Sequence, residues 1–534
     1  MGNKPIIGID LGTTNSAVAV HEDDRVNVLA NSIGERTTPS VVSFTDSGDV
    51  LVGREAVNRA VQYPDRTIYS IKRRMGEDGT RFEVDGQSYR PEEISALILS
   101  KLVQDASANL GTQVDEAVIT VPAYFTNRQR AATKRAGKLA GLTVRRLLNE
   151  PTAACLAHGL RQEHDKTVLV YDLGGGTFDV SVVDINDGVF EVIATDGLSD
   201  HGGEDWENQI VGQILGLIED DTGRCLEDDT VAMQRIWDAA QQAKHDLTSR
   251  SKTTISIPYL ITEPTEYSFE ETLTRDVFKQ ITENLLEETI ETCKEVMEAS
   301  GLSHSDLDEV LLVGGATRMP QVADRLTHFF GQEPAQTVHP NEVVAEGAAV
   351  QASIVSRSLP TGAKAETLST DSTDNVSASV AGGNQGRSLP TAPEDVVLID
   401  VVGQTLGVDA RIDGVDDRFS RHIPRNSSTP AKATEEYVTI SDNQTSMNFK
   451  VYQGESEVAS ENTFLDKFTV GNIPPAPKGQ MTVRVEFHLD QDGILHVEAE
   501  NMARGNTETI TVTSEIEFTQ QELEQMENGL PEVR

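Results

Sequence analysis

Two segments of the chain repeat one design, an apolar strand that runs into Asp-Leu-Gly and then into threonine. They are IDLGTTNS at 9–16 and YDLGGGTFD at 171–179, and their aspartates, Asp10 and Asp172, lie 162 residues apart (172 − 10). A glycine-rich turn at a strand end lets backbone N–H groups converge on an anion. The terminal aspartate can face a hydrated Mg²⁺. Two such turns predict two half-sites that close on the phosphates of one nucleotide.

Two further glycine turns strengthen this prediction. DHGGED at 200–205 contains Gly202 and Gly203, and LVGGATR at 312–318 contains Gly314 and Gly315 at a strand-to-helix boundary. A single glycine turn is usually just a turn. Four of them at strand ends of one α/β region favour a nucleotide cleft, even though no GxxxxGK[ST] phosphate loop is present.

The length and composition set the broad class. The 534 residues predict two to four domains, and no run of eighteen apolar residues indicates a membrane span. The start, MGNKPIIGID, fits neither a signal peptide nor a myristoylation motif. Cys155, Cys225 and Cys293 share no CxxC spacing, so a local zinc knuckle or a disulfide framework is not expected. A reducing cytoplasm is the simplest compartment.

The charge balance limits the partners. Asp and Glu number 86 against 45 Lys and Arg, for a net charge of −41. Such a field repels nucleic acid and anionic membranes, so neither is an expected partner. Because Arg is also twice as frequent as Lys, we interpret the surface as adapted to high salt, where counterions screen the self-repulsion. An ordinary acidic cytosolic protein is the alternative.

The chain divides into regions of different pattern. Residues 1–356 alternate strands and helices, which predicts an α/β domain. Residues 357–393 are rich in Ser, Thr, Ala, Gly and Pro and predict a flexible low-complexity insert. An apolar stretch follows at 394–402, then strands with alternating apolar residues at 403–515, which predict an all-β sandwich. Residues 516–534 begin a helix.

The motifs resemble a known family. GIDLGTTNS, VPAYF, NEPTAA, DLGGGTFD, GGED and LVGGATRMP are similar, in order and spacing, to signature blocks of the seventy-kilodalton heat-shock chaperones, the DnaK family. NQTSMNFKVYQGE, NIPPAPKG and DGILHVEAEN are similar to that family's peptide-binding domain. The resemblance implies an actin-like, two-lobed ATPase domain joined to a β-sandwich that holds extended, unfolded polypeptides. It also implies ATP/ADP, Mg²⁺ and K⁺ as ligands, and J-domain co-chaperones and nucleotide exchange factors as partners.

The resemblance also implies roles at the phosphate end of the cleft. Lys72 matches the lysine that reaches the γ-phosphate, and Glu150 matches a carboxylate near the attacking water. Asp10 and Asp172 match the pair that holds the hydrated metal, and Asp179 matches a carboxylate that positions water and a monovalent cation. Phosphate contacts are expected from residues of the glycine turns: Gly12, Thr13, Thr14, Gly174, Gly175, Gly176, Thr177, Gly202 and Gly203.

The adenosine end departs from the family pattern, which has Glu-x-x-Lys-Arg on a helix. Here Gln241 stands for the Glu, Lys244 is kept, and His245 stands for the Arg. The other expected contacts are Thr248, Gly314, Gly315, Arg318 and Asn341. Gln and Asn can still hydrogen-bond a ribose hydroxyl, whereas the loss of Arg removes a planar stack on the base. We therefore expect ATP binding with altered affinity.

The remaining matches concern coupling and the peptide. VVLID at 396–400 resembles an inter-domain linker that docks on the ATPase domain; a first strand of the sandwich is the alternative. Pro122 and Arg130 match a relay between nucleotide and linker. The surfaces read by J-domains match at Arg146, Asn149, Glu191 and Val192. The peptide pocket matches at Val408, Tyr437, Ile440, Met447 and Phe449, for which plain sandwich core is the alternative.

The family continues with a helical lid, whereas this sequence stops at Arg534. Either the sequence is a piece of a longer protein or the protein lacks a lid, and the absence of a lid would speed peptide exchange. Three other functions share parts of the pattern: an actin-like sugar kinase, a non-catalytic scaffold or exchange factor, and a filament-forming protein. The kinase and the filament give no role to the apolar linker and the sandwich.

The acidic surface predicts a dependence on salt. The melting temperature followed by circular dichroism should rise steeply between about 0.1 and 2 M KCl, because counterions screen the repulsion among carboxylates. A protein that is fully folded and active in low-salt buffer would refute the interpretation of salt adaptation.

Overall fold

The structure, a computed structural model, describes residues 4–22, 25–159, 165–263, 265–336, 339–358, 387–388, 396–502, 512–513, 526 and 529–534. These residues form an α/β region followed by an all-β region, which confirms the predicted fold class. The predicted flexible insert at 357–393 lies outside the described residues except for 357–358 and 387–388.

The α/β region contains most of the helices. Its strands are β1 (Ile6–Asp10), β2 (Asn15–Glu22), β3 (Arg25–Val28), β4 (Thr37–Pro39), β5 (Val42–Phe44), β6 (Val50–Val52), β7 (Thr67–Ile68), β8 (Phe82–Val84), β9 (Gln87–Tyr89), β10 (Glu116–Val121), β11 (Thr143–Asn149), β12 (Lys166–Leu173), β13 (Phe178–Asn186), β14 (Val189–Leu198), β15 (Lys252–Ile261), β16 (Tyr267–Thr274), β17 (Glu309–Val313) and β18 (Ala335–Gln336). Its α-helices are α1 (Arg54–Ala60), α2 (Pro91–Leu110), α3 (Asn127–Leu139), α4 (Glu150–Gly159), α5 (Gly203–Thr222), α6 (Thr230–Ser249), α7 (Arg275–Ile281), α8 (Glu283–Ser300), α9 (Pro320–Phe330) and α10 (Val343–Ser358). Short 3₁₀ turns lie at Pro64–Arg66, Ile71–Arg74, His304–Asp306 and Gly315–Arg318.

The rest of the described chain is almost entirely strand. The strands are β19 (Arg387–Ser388), β20 (Val397–Val401), β21 (Leu406–Ile412), β22 (Val415–Ile423), β23 (Ser428–Thr429), β24 (Ala431–Val438), β25 (Met447–Gln453), β26 (Thr463–Val470), β27 (Thr482–Leu489), β28 (Leu495–Asn501) and β29 (Val512–Thr513), with a 3₁₀ turn at Ala459–Glu461.

Two sheets of the α/β region share one topology. In the first, β1 pairs antiparallel with β2, β2 pairs antiparallel with β3, and β1 is parallel to β10, which is parallel to β11. In the second, β12, β13 and β14 repeat the antiparallel meander, and β12 is parallel to β17, which is parallel to β18. The repeated Asp-Leu-Gly motifs therefore occupy equivalent places, at the ends of β1 and β12. We call the two halves the first and second lobes.

Helices α4 and α10 pack between the two sheets. Their small residues, Ala153, Ala154, Ala157, Ala348 and Ala349 among them, belong to one buried cluster with side chains from β1, β2, β12 and β13. The backbones approach very closely, because a Cβ added to Gly347 would lie 1.8 Å from the Ala153 carbonyl oxygen. Small side chains at this seam set the distance between the lobes.

The apolar stretch at 396–402 has both of the roles that the sequence left open. In β20, Val397, Leu398 and Ile399 pair in parallel with Val189–Glu191 of β14, at the edge of the second-lobe sheet. The next two residues, Asp400 and Val401, pair antiparallel with β23. One strand thus joins the sheet of the ATPase-like domain to the start of the β region.

The β region is a sandwich of two sheets. Their orders are β22-β21-β25-β26 and β24-β27-β28-β29. The alternation predicted for β27 is present, since Val483, Val485, Phe487 and Leu489 are all buried in the core between the sheets. At the predicted turn, Gly493 has φ of +73°, a conformation that favours glycine.

The sandwich is docked on both lobes. Against the first lobe, Asp492 accepts a hydrogen bond from the Leu147 N–H at 2.9 Å and pairs with Lys134 at 2.5 Å. Against the second lobe, Arg425 pairs with Asp196 at 2.8 Å. The contacts come from the β27–β28 turn and from the loop between β22 and β23.

The predicted helical stub at 516–534 falls mostly outside the described residues; of those described, 526 and 529 are helical and the last four, 531–534, are extended. Val533 forms a parallel bridge with Val50 at the edge of β6, supported by the Arg534 N–H to Val50 carbonyl bond at 3.0 Å. Val533 and Leu530 pack on the first-lobe core. The free edge of β6 offers unpaired backbone groups, which an extended segment satisfies better than a helix does.

A matched pair of glycine substitutions tests the seam between the lobes. Gly347→Ala in α10 should destabilise the protein by roughly 2 kcal/mol or more, because the helix must move away from Ala153. Gly216→Ala in α5 meets nothing within 4 Å and should stabilise by up to about 1 kcal/mol. Equal free energies of unfolding for the two variants in urea titrations would contradict the close packing.

Candidate functional site

The four glycine turns converge on one cleft between the lobes. A Cβ added to Gly175 would lie 2.0 Å from Thr14 Oγ1, and one added to Gly176 would lie 2.6 Å from the Thr13 side chain. One added to Gly314, where φ is +83°, would lie 2.3 Å from the Leu173 carbonyl oxygen. The position of Gly314 admits only glycine, because backbone of the second turn lies against it, whereas larger residues at Gly175 and Gly176 would collide with threonine side chains of the first turn.

Backbone hydrogen bonds join the second and third turns. The Gly203 N–H donates to the Gly174 carbonyl at 2.9 Å, and the Glu204 N–H donates to the Gly175 carbonyl at 2.9 Å. The third turn leads directly into α5, with Gly202 as the capping residue and its N–H bonded to Asp205 at 2.7 Å. A helix N-terminus and a glycine-rich loop side by side form an anion-binding wall.

Lys72 and Glu150 form a buried ion pair on the floor of the cleft. Lys72 lies in a 3₁₀ turn of the first lobe, and Glu150 is the first residue of α4. Asp10 accepts from Thr120 Oγ1 at 3.2 Å, and Asp179 accepts from the Tyr124 N–H at 3.1 Å. The structure thus brings the predicted lysine and carboxylates together around one space.

The carboxylates of the cleft lie close together and are buried. Burial, followed by repulsion from Glu150, raises the pKa of Asp10 to about 7 and that of Asp179 to about 7. Burial and the neighbouring carboxylates of Glu150, Asp179 and Asp10 raise the pKa of Asp172 well above its ordinary value. For Lys72, burial opposes the charge, but Glu150 and Asp10 outweigh it and raise the pKa. One lysine does not balance four acids, so the cleft is suited to a further cation.

The donor set fits a hydrated ion better than a directly ligated one. Within the described residues, no group of three or more His, Cys, Asp or Glu side chains is placed to hold a metal ion. Mg²⁺ usually keeps several waters and takes few protein carboxylates, which suits Asp10 and Asp172 at the ends of two different strands.

The sequence analysis did not predict the side-chain contacts that join the two lobes across the cleft. Arg73 of the first lobe pairs with Asp205 and, at 3.5 Å, with Glu204 of the second lobe. Ser70 Oγ donates to Glu204, and Thr14 Oγ1 donates to the same carboxylate at 3.4 Å. The only available signals were the position of Arg73 beside Lys72 and the two acids directly after the Gly-Gly pair.

The residues predicted on the adenosine side differ in burial and in the partners that they contact. Lys244 is buried, pairs with Glu207 at 2.6 Å and donates to the Gly203 carbonyl at 3.0 Å, so it holds the third glycine turn. Thr248 donates to the His245 carbonyl within α6 at 2.7 Å. Arg318 is exposed at the end of a 3₁₀ turn, and Gln241 is half-buried on α6. Asn341 lies beside Gly315, since its Oδ1 is 2.9 Å from an added Cβ there.

The predicted peptide-site residues lie mainly in the sandwich core. Val408, Met447 and Phe449 are buried, and Tyr437 packs against the same cluster at 5.2 Å from the Phe449 ring. Ile440 is instead 49% exposed. In this docked arrangement the four residues belong to, or pack against, the same buried cluster of the sandwich core.

The linker strand contacts the residues on both sides of Glu150. Asn149 Nδ2 donates to Asp400 Oδ1 at 2.7 Å, and Thr152 Oγ1 donates to Asp400 Oδ2 at 3.3 Å. The buried Arg130 donates to Asn149 Oδ1 at 2.7 Å. Asn149 directly precedes Glu150, so the linker carboxylate is one residue away from the partner of Lys72.

Known proteins match this chain along its length. The family model described as Hsp70 protein matches residues 6–84, 77–374 and 364–533. The chain belongs to the Hsp70 family. It is a chaperone and an ATPase of that type.

Two curated relatives are named Chaperone protein DnaK and come from two strains of Halobacterium salinarum. Each is 44% identical over 528 residues, which covers 99% of this chain and 78% of the relative. The match confirms the family predicted from the motifs. A salt-adapted source of the relatives agrees with the interpretation of the acidic surface. Among the described residues, no helix has the length and apolar character needed to cross a membrane.

The crowded carboxylates predict a pH dependence of stability for the nucleotide-free protein. Asp179 has a pKa of about 7 when folded and about 3.9 when unfolded, so its contribution is complete below about pH 4 and is lost as the pH rises through 7. Asp179→Asn should therefore raise the free energy of unfolding at pH 8 by on the order of 2 kcal/mol and flatten its decline between pH 5 and 8.

The control is Asp228→Asn, which changes an exposed turn residue and should leave the pH profile unchanged. Both variants are compared in urea titrations at constant high salt. A profile for Asp179→Asn that is parallel to that of the unmodified protein would contradict the buried-charge account.

Proposed function

We propose that this chaperone hydrolyses ATP in the cleft between its lobes and uses the docked linker to control its hold on unfolded polypeptides. The observation that supports this most directly is the bond from Asn149 to Asp400 at 2.7 Å. It connects the linker to the residue before Glu150, and Glu150 pairs with Lys72 in the cleft. A change at either end of this short path displaces the other.

The cleft residues have separate tasks in this proposal. The turns containing Gly12–Thr14, Gly174–Thr177 and Gly202–Gly203 present N–H and hydroxyl groups to the phosphates of ATP or ADP. Lys72 neutralises charge that develops on the γ-phosphate, and Glu150 orients Lys72 and the attacking water. Phosphoryl transfer depends mainly on such positioning and charge stabilisation.

Asp10 and Asp172 would hold a hydrated Mg²⁺ through water, which supplies positive charge at the β- and γ-phosphates when bound. Asp179, fixed by the Tyr124 N–H, would orient the attacking water together with a monovalent cation, K⁺. At the other end, Gln241, Lys244, Thr248, Gly314, Gly315, Arg318 and Asn341 would surround the adenosine. Lys244 would act there through the Gly203 carbonyl rather than by reaching the base.

We assign the docked arrangement to the state with a weak hold on peptide. Val408, Met447 and Phe449 are buried in one cluster of the sandwich core, so an extended peptide that uses them must displace their present neighbours. Undocking removes the contacts of Asp492 and Arg425 with the lobes and frees β21 and β25 to open. Apolar pockets on a sheet then alternate with backbone hydrogen bonds to hold an extended segment.

Partner proteins would act on the same boundary. Arg146 and Asn149 lie on β11, and Glu191 of β14 pairs in register with Ile399 of the linker. A J-domain co-chaperone that binds these residues would compete with the docked linker, which gives it a way to promote hydrolysis. A nucleotide exchange factor would act by separating Arg73 from Glu204 and Asp205. The proposed setting is the cytoplasm.

Single-turnover hydrolysis of ATP with and without an apolar peptide tests the proposal. Peptide should accelerate hydrolysis, and Lys72→Ala should reduce the rate by at least about a hundredfold because it removes charge stabilisation at the γ-phosphate. Thr177→Ala should also reduce the rate. The matched control is Lys252→Ala, which removes an exposed lysine at the start of β15 and should leave turnover intact.

Other outcomes separate the remaining functions. Turnover that appears only when a sugar is added would establish a kinase instead. Tight ATP binding with no turnover under any of these conditions would establish a non-catalytic scaffold or exchange factor.

A further inference from the structure

The turn between β14 and α5 contains a buried histidine to which no role has been given so far. His201 is only 4% exposed, although it directly precedes the Gly202-Gly203 pair. Burial is the largest effect on this side chain and lowers its pKa, so the imidazole is neutral at pH 7. A buried neutral imidazole needs a hydrogen-bond partner to compensate for the water it has lost.

The imidazole is fixed by the first turn of α8. Its Nε2 lies 2.8 Å from the Leu285 carbonyl oxygen, which is an acceptor, so Nε2 carries the proton and donates. Its unprotonated Nδ1 lies 3.3 Å from the Glu288 carboxylate, to which it cannot donate. The ring stands edge-on to Trp206, with centroids 5.2 Å apart. The bond to Leu285 and the packing on Trp206 hold the ring in one orientation.

The main chain of His201 contacts the phosphate loop. Its N–H donates to the Gly176 carbonyl at 3.1 Å, and Arg73 Nε donates to the same carbonyl at 3.1 Å. The Gly176 carbonyl and the Thr177 N–H belong to one planar trans peptide unit and point in opposite directions. Fixing the carbonyl from both lobes therefore fixes the direction of the Thr177 N–H.

The neighbouring residues of the turn fit the loop just as closely. A Cβ added to Gly202 would lie 2.6 Å from the Gly175 carbonyl carbon and oxygen. The Gly203 carbonyl accepts from Lys244 of α6 at 3.0 Å. The turn is therefore attached to α6 through Lys244 and to α8 through His201, with the phosphate loop lying against it.

We propose that His201 is a positioning residue for ATP hydrolysis, whose imidazole ties the turn at 200–205 to α8 and thereby holds the peptide between Gly176 and Thr177 in its working orientation. The proposal rests on the proposed function, in which that loop binds the phosphates. His201 does not touch the nucleotide in this account. It acts through the loop, in the way that an outer residue orients a catalytic group.

Two substitutions at this position separate the hydrogen bond from the volume of the side chain. His201→Leu fills the space but cannot donate, whereas His201→Gln has an amide N–H that reaches the Leu285 carbonyl. The single-turnover rate of ATP hydrolysis should fall about tenfold in His201→Leu, since one hydrogen bond to the partly buried Leu285 carbonyl is lost. It should return to within about twofold of the unmodified protein in His201→Gln.

The control is His304→Leu, which removes a half-buried histidine that packs on Phe329 and Phe330 away from the glycine turns. Its hydrolysis rate should not change. Melting temperatures are measured for all three variants, because a purely structural role of His201 would lower stability and rate together. The proposal requires that His201→Leu and His201→Gln differ in their rates of ATP hydrolysis while their melting temperatures are similar.

The possible results are distinct. A His201→Leu variant that hydrolyses ATP as fast as the unmodified protein overturns the role of His201, and so does a Gln variant that is as slow as the Leu variant. If instead the unmodified protein does not hydrolyse ATP at all, the proposed function is wrong, and the proposed role of His201 is wrong as well.

Discussion

The parallel pairing of β20 with the outer edge of β14 is the contact on which the arrangement of the two domains depends. Three residues of the linker, Val397–Ile399, complete the second-lobe sheet. The same strand then continues into the antiparallel pair with β23 of the sandwich. An edge strand offers unpaired N–H and C=O groups along its whole length, and covering it satisfies them. Undocking of the linker would expose this edge again.

In the proposed function, the docked linker acts on the chemistry of the cleft. Asp10, Asp172, Asp179 and Glu150 crowd around Lys72 in a buried space, and their mutual repulsion is costly without a further cation. Glu150 follows Asn149, which the linker carboxylate of Asp400 binds directly. The electrostatic state of the cleft and the position of the linker are therefore physically connected within two adjacent residues.

Much of the fold and the phosphate end was predictable because the information is local. A glycine turn at a strand end, or the alternation in β27, depends on residues that are neighbours in sequence. Pairings between distant segments were not predictable in this way. Arg73 pairs with Glu204 and Asp205 because the two lobes face each other across the cleft. The local sequence around these residues does not predict such a pair.

The same reasoning explains contacts that the sequence did not predict. Lys244, predicted on the adenosine side, pairs with Glu207 and donates to the Gly203 carbonyl, and both partners are distant in sequence. The linker was interpreted as either linker or sandwich strand, and edge pairing on both sides lets one strand be both. The sequence did not predict a role for His201, because its imidazole bonds to a backbone group, the Leu285 carbonyl, which leaves no pattern of side chains.

Hydrogen–deuterium exchange of the linker amides, read by mass spectrometry with ATP and with ADP in a Lys72→Ala background that keeps ATP intact, tests the central claim most directly. The account predicts that the amides of 397–401 and of the facing strand 189–192 are protected in ATP and exchange faster in ADP. Equal exchange of both segments in the two nucleotides would contradict control of the linker by the cleft.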